Sequence, residues 1–324
     1  MVQELRSLWN SFPHRMPFII LLIAWLALFH FIGNSTLGYI PTESIFGWLQ
    51  AVYDGGAKLG RDDELGVMVP WLVGVILIIR REELTQIPKS PWAPALLIVV
   101  AGLLLHLAGY TIQQTRLGVT GCIIGLFGIT GMLWGRHWMK AFAFPYFLLF
   151  FCIPISIFLD SLTLGLRLLS TSLSTGFCEW ILNINLIQSG TQVIHRATAS
   201  APAFSFDVAP ACSGIRSATV VLLLTVTFSF LQFKGWGRRM LLIFLSPIFA
   251  VLANVIRLII VFAVAEAAGQ AAGQAVENKF GFVTFLIALF CVFLTARLIR
   301  EPEPLKTLTT AGTTPNEITP DLIP

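Results

Sequence analysis

Met240–Ala265 reads MLLIFLSPIFAVLANVIRLIIVFAVA, a run in which Arg257 is the only ionisable side chain. A helix needs about 20 consecutive apolar residues to cross the roughly 30 Å of hydrocarbon in a bilayer, and this stretch exceeds that. Seven further apolar runs lie outward from it: Pro17–Gly33, Leu65–Ile79, Trp92–Tyr110, Leu117–Trp134, Ala141–Phe158, Ser213–Phe233 and Phe280–Leu298. The 324 residues are 56% hydrophobic and 12% charged, with a mean hydropathy of +0.80. Soluble domains are about 25% charged, so the composition excludes a disordered chain, a secreted disulfide scaffold and a nucleic-acid-binding domain. The reading is an all-α polytopic membrane protein of about eight transmembrane helices. Residues 1–300 form one integral membrane domain, and 301–324, rich in Thr, Pro and Glu, form a disordered cytoplasmic tail.

The basic residues set the orientation, because cytoplasmic loops collect Lys and Arg. With the N-terminus inside, the inner segments hold Arg6 and Arg15; Arg80, Arg81 and Lys89; Arg136 and Lys140; Lys234, Arg238 and Arg239; and Arg297, Arg300 and Lys306. That is 2 + 3 + 2 + 3 + 3 = 13 of the 21 Lys and Arg. Both termini are therefore expected in the cytoplasm. Two outer segments exceed a turn. Residues 34–64 contain Glu43–Gln50, which reads as an interfacial helix. Residues 160–210 open with Leu162, Leu166, Leu169, Leu173 and Phe177 at helical spacing. They close with the alternating runs Thr191–His195 and Phe204–Val208, read as a small β-hairpin outside the membrane.

Charges inside a span are costly and functional by default. Arg257 follows Arg239 by 257 − 239 = 18 residues, about 27 Å of helical rise, which puts it near the outer face. Cys212 precedes the span Ser213–Phe233, whose 233 − 213 + 1 = 21 residues rise about 31 Å from the inner face. Two counts from different elements therefore place thiol and guanidinium at one depth. A thiol at a helix N-terminus near Arg216 and Arg257 is biased toward thiolate, and Ser213 and Gly214 supply N–H donors for an oxyanion. The competing readings are an arginine snorkelling to the outer headgroups and a cysteine that only packs. Cys122, Cys152 and Cys291 lie inside spans without polar company, and Cys178 sits beside Glu179 on the outer amphipathic stretch; all four read as packing residues. Five cysteines without a Cys-x-x-Cys pair indicate neither a disulfide framework nor a zinc site, so no metal and no cofactor are expected. The next outer turn, Glu266–Phe280, brings Glu277 and Asn278 to the same face, as site residues or as a solvated turn.

Ala211-Cys212-Ser213-Gly214-Ile215-Arg216-Ser217, then Asn254-x-x-Arg257 one span later, then Gly281-x-x-x-Phe285, resembles the exosortase/archaeosortase family. Leu65–Pro70 ahead of Arg80-Arg81, and the region of Pro145 and Pro154, are similar to that family too. The resemblance implies a multi-span cysteine transpeptidase of the prokaryotic inner membrane. Its partners would be exported proteins carrying a C-terminal sorting signal, made of a short motif, a transmembrane helix and a basic tail. A polysaccharide or lipid would accept them, at an extracytoplasmic site. It makes Cys212 the nucleophile and Arg257 the oxyanion ligand, with Asn254 supporting. The family places a histidine four positions before the glycine of its last motif; here that position is Glu277. The five histidines are His14, His30, His106, His137 and His195, and His195 alone falls in an outer segment. Three readings follow: Glu277 is the acid–base group; His195 replaces the family histidine from another element, with Asn278 a further alternative for that role; or the protein binds substrates without turning them over, as a receptor or assembly factor. A transporter using Arg257 as an anion site is the remaining rival class.

Overall fold

The computed structural model describes residue 10 and residues 12–36, 38–58, 65–154, 156–197, 202–208 and 215–299. Its helices are α1 (Arg15–Phe31), α2 (Ile45–Lys58), α3 (Leu65–Ile79), α4 (Arg81–Gln86), α5 (Ala95–Thr111), α6 (Thr115–Leu149), α7 (Ser156–Ile181), α8 (Ile215–Gln232), α9 (Trp236–Ala268), α10 (Gln270–Lys279) and α11 (Gly281–Leu298). Between α7 and α8 lie the strands β1 (Ile187–Ser189), β2 (Gln192–His195) and β3 (Phe204–Asp207). Among the described residues, Thr115–Cys152 and Trp236–Ala268 are long and apolar enough to cross a membrane. A third joins them if the pair Gln270–Glu277 and Phe282–Leu298, bent by 50°, counts as one span. The apolar helices Arg15–Phe31, Leu65–Ile79, Ala95–Thr111 and Thr219–Gln232 are shorter. The tail beyond Ile299 lies outside the described residues.

The 35 residues of α6 are two helices folded against each other. Phe127 and Tyr146 are 19 positions apart, which a straight helix would separate by about 28 Å, yet their ring centroids are 4.9 Å apart. The reversal is at Gly135, with φ 92° and ψ 176°, a region essentially reserved for glycine. A Cβ there would also lie 2.1 Å from the carbonyl oxygen of Ser90. The runs Leu117–Trp134 and Ala141–Phe158 are thus distinct helices, joined by one residue rather than a loop. The second stops earlier than the apolar pattern predicts: a 3-10 turn, Phe150–Cys152, ends it near Pro154, because a proline cannot continue the ladder. Arg116 Nε donates to Pro154 O at 2.7 Å and closes the open end of this hairpin. Its first arm packs on α5 through glycines: a Cβ on Gly102 would sit 2.7 Å from Gly121 O and Gly125 N, the close backbone approach that small residues permit between membrane helices. Phe12, Trp134, Trp138 and Phe142 fill the other end.

The second half of the chain is built on α9. Val221 of α8, Leu242 and Ala253 of α9, and Ala288, Val292 and Ala296 of α11 form one buried cluster. The amphipathic α7 turns Ser170, Ser174 and Cys178 inward, all fully buried, and Ser174 Oγ donates to Val255 O of α9 at 3.3 Å. Its other side leaves Leu164, Leu168, Leu173, Phe177 and Trp180 exposed, the pattern of a helix lying in a membrane interface.

The outer runs pair as expected, with Gln192 opposite Asp207 and His195 opposite Phe204. The hairpin is extended to three strands, ordered β1-β2-β3, by Ile187–Ser189. Three residues are too few to show alternation; the turn glycine, Gly190 at φ 64°, is the only local mark. The sheet covers the far end of α9: Val193, Phe204, Phe206 and Val208 share a cluster with Leu258, Val261, Phe262 and Ala265. On the other side of Arg257, α9 exposes the stripe Leu241, Phe244, Ile248 and Leu252. Arg257 therefore stands between an exposed apolar stripe and a sheet-covered end.

Candidate active site

Arg257 and Asn254 lie three residues apart on one face of α9 and are 9% and 0% exposed. Helix α9 ends at Gly269, whose φ of 86° turns the chain back into α10. The segment Glu266–Phe280, expected as a turn, is therefore the end of α9 followed by a short helix. Its alanines and long polar side chains favour a helix more than its glycines oppose one. The reversal folds α10 onto α9: a Cβ on Gly273 would lie 2.9 Å from Ala265 Cβ and 3.3 Å from Val261 O. Carried one turn further down, the same pairing sets Glu277 against Arg257. Arg257 Nη2 donates to the carbonyl oxygen of Glu277 at 2.8 Å, so the tie runs to the main chain. Asn278, next to it, belongs to α10, and its side chain lies outside the description.

His195 is held elsewhere. Its Nδ1 is 2.9 Å from Glu266 Oε2, and the ring is 2% exposed against Phe204. Glu266 follows Arg257 on α9 by nine residues. At about 100° and 1.5 Å per residue that is half a turn past two full turns and about 13 Å along the axis, on the opposite side of the helix. The structure thus brings Glu277 to Arg257 and pairs His195 with Glu266 instead.

Cys212, Ser213 and Gly214 lie outside the described residues, as does the side chain of Arg216, whose backbone is in the first turn of α8. Helical rise gives the height of that turn. Helices α8 and α9 form a hairpin around residues 233–235, closed by Arg239 Nε donating to Phe233 O at 2.7 Å. From Gln232 back to Ile215 is 17 steps, and from Trp236 forward to Ala253 is also 17 steps. Each spans about 26 Å, so the start of α8 stands level with Ala253 and Asn254, and Cys212 precedes Ile215 by three positions.

Cys178 is no competing nucleophile. It is fully buried under the sheet, and burial first, with Glu179 beside it, pushes its thiol up to about 11. No group of three or more His, Cys, Asp or Glu among the described residues could hold a metal ion.

Asn254 is more prominent in the structure than its sequence motif implies. Its Nδ2 and Oδ1 are both buried without a hydrogen-bond partner among the described residues, which no feature of the sequence indicates. No curated protein and no solved structure matches the chain. The family model described as transmembrane exosortase matches residues 58–294, which is 294 − 58 + 1 = 237 of the 324 positions. With a match across nearly three-quarters of its length, and a helical, apolar fold to go with it, the chain belongs to the transmembrane exosortases.

Proposed function

We propose that the protein is a cysteine transpeptidase of the prokaryotic inner membrane, acting at the outer membrane–water boundary on exported proteins with a C-terminal sorting signal. Eight helices cross the bilayer: α1, α3, α5, the two arms of α6, α8, α9 and α11. Both termini are cytoplasmic, and α7 lies in the outer interface. The Cys212 thiolate attacks a peptide carbonyl just outside the substrate's own helix. Arg257 and the N–H groups following Cys212 take the charge that develops on oxygen. Collapse of the tetrahedral adduct leaves a thioester on Cys212 and expels the amine of the departing helix, which takes a proton from Glu277. An amine of the acceptor, on a polysaccharide or lipid, or a water then attacks the thioester and frees the thiol.

The observation that carries this reading is the α8–α9 hairpin closed at Phe233 and Arg239, in which equal helical counts set the start of α8 at the depth of Asn254. It supports a Cys212 at the same depth as Arg257. The main-chain bond sets residue 277 beside Arg257, whereas His195 is paired with Glu266 on the opposite side of α9, and this placement supports Glu277 over His195 as the acid–base group. A Cys212→Ala variant tests the whole. Full-length sorting-signal protein should accumulate in membranes; unchanged processing would sink the mechanism. A receptor that keeps the site's shape would instead hold the substrate uncut in the wild type as well.

A further inference from the structure

Asn254 offers one acceptor and two donors on a planar amide, fully buried, and none is satisfied among the described residues. Native interiors rarely leave such a group open, because it gives up hydration for nothing. An open amide three residues from Arg257, on the same face, is suited to a ligand with one donor and one acceptor in a plane. A peptide unit of an extended chain is that ligand. Its direction follows from α9. Going from Arg257 to Asn254 moves about 4.5 Å along the helix, toward the exposed stripe ending at Leu252 and away from the sheet. An extended chain advances about 3.3 Å per residue. With the scissile carbonyl at Arg257, the peptide unit at Asn254 is the first or second on the membrane side, in the segment that leaves. A second open group is on α7: Ser170 Oγ, fully buried and also without a partner among the described residues, one turn before the Ser174 that bonds Val255.

We propose that Asn254 clamps the substrate main chain on the leaving side of the scissile bond, Nδ2 donating to a peptide carbonyl and Oδ1 accepting from a peptide N–H. This rests on the acyl-transfer reading of the site and specifies the substrate as an extended peptide across α9. It also assigns Asn254 to substrate binding rather than to the support of Arg257.

The test compares two probes in purified full-length protein. One is an exported protein of the same cell ending in a short motif, an apolar run and an arginine-rich tail. The other is a small-thiol thioester of the same acyl segment, with nothing beyond the scissile bond. Asn254→Leu should slow cleavage of the protein by about tenfold or more, as loss of buried hydrogen bonds to substrate requires. Thioester turnover should stay within about twofold, and the melting temperature should hold or rise, since an unsatisfied amide is removed. Equal slowing of both probes, a melting temperature that falls, or unchanged cleavage of the protein would each overturn the clamp. Binding of the same exported protein to Cys212→Ala, with and without Asn254→Leu, separates the two levels. Binding that weakens about tenfold with Asn254→Leu, in a protein whose wild type cuts neither probe, upholds the clamp and removes the cysteine chemistry.

Discussion

Arg257 is tied by Nη2 to the main-chain carbonyl of Glu277, at 2.8 Å and 20 residues further along the chain. The bond crosses the α9–α10 hairpin and needs no particular side chain at position 277. This bond would survive a change of side chain at 277. A substitution that keeps the backbone therefore tests the side chain apart from this bond.

That separation is measurable with Glu277→Gln, which keeps the carbonyl and the shape and removes the acid. Processing of a sorting-signal protein should fall about 10²–10⁴-fold, the usual worth of a positioned acid or base. Activity close to wild type would transfer the proton to another group.

Arg257→Lys keeps the charge and loses the planar fork that can hold a carbonyl and an oxyanion together. Processing should drop about 10²–10³-fold, as for loss of an oxyanion donor. A loss below about threefold, followed by the fraction of cleaved protein over time, would reduce Arg257 to a structural or headgroup-anchoring residue.

His195 and Glu266 tie the sheet to α9, so their loss should loosen the sheet before it affects chemistry. His195→Gln and Glu266→Gln should each make the β1–β3 segment more sensitive to protease, and the double variant should add little, since one bond is broken either way. Abolished processing in His195→Gln at unchanged protease resistance would restore the histidine as the acid–base group.

Gly135→Ala should destabilise the first helical group. The backbone conformation alone costs about 1–3 kcal/mol for a residue with a side chain, and the added methyl would meet Ser90 O. Thermal unfolding in detergent should shift down by several degrees; an unshifted curve would mean the chain does not reverse at 135.

Cys178 gives a prediction in pH. Its thiol rises from 9.0 in the open chain to about 11 in the fold. The folded state therefore disfavours the thiolate, and the stability from this group is complete below pH 9 and lost as pH climbs through about 11. Iodoacetamide at pH 8.5 should leave Cys178 unmodified in the folded protein and label it after denaturation. Rapid labelling of the folded protein would contradict its burial.

Much of this architecture was legible because apolar runs and helices coincide when lipid is the solvent. Leu65–Ile79 is a run in the sequence and a helix in the structure with identical bounds. The reversal at Gly135 was half legible: Arg136 and Lys140 mark a boundary, but only a backbone angle shows that one residue makes the turn. The strand Ile187–Ser189 stayed hidden because pairing with β2, not its own pattern, holds it extended. Helix α10 was read as a turn, since Gly269 and Gly273 signal a break locally, whereas packing on Val261 and Ala265 decides it. The contact of Arg257 with a backbone atom could not be read from residue types, because any residue at 277 would supply the same carbonyl.

One continuous helix carries both Leu252, at the end of the exposed apolar stripe, and Arg257, 257 − 252 = 5 positions later. Five residues set the guanidinium's stem about 7.5 Å above that edge, and no hinge intervenes to change the figure. Under the proposed function, this spacing makes the protein a gauge that selects the bond its client's own greasy anchor lifts to the right elevation. Lengthening or trimming the client between motif and anchor should shift the cut along the chain rather than merely weaken it.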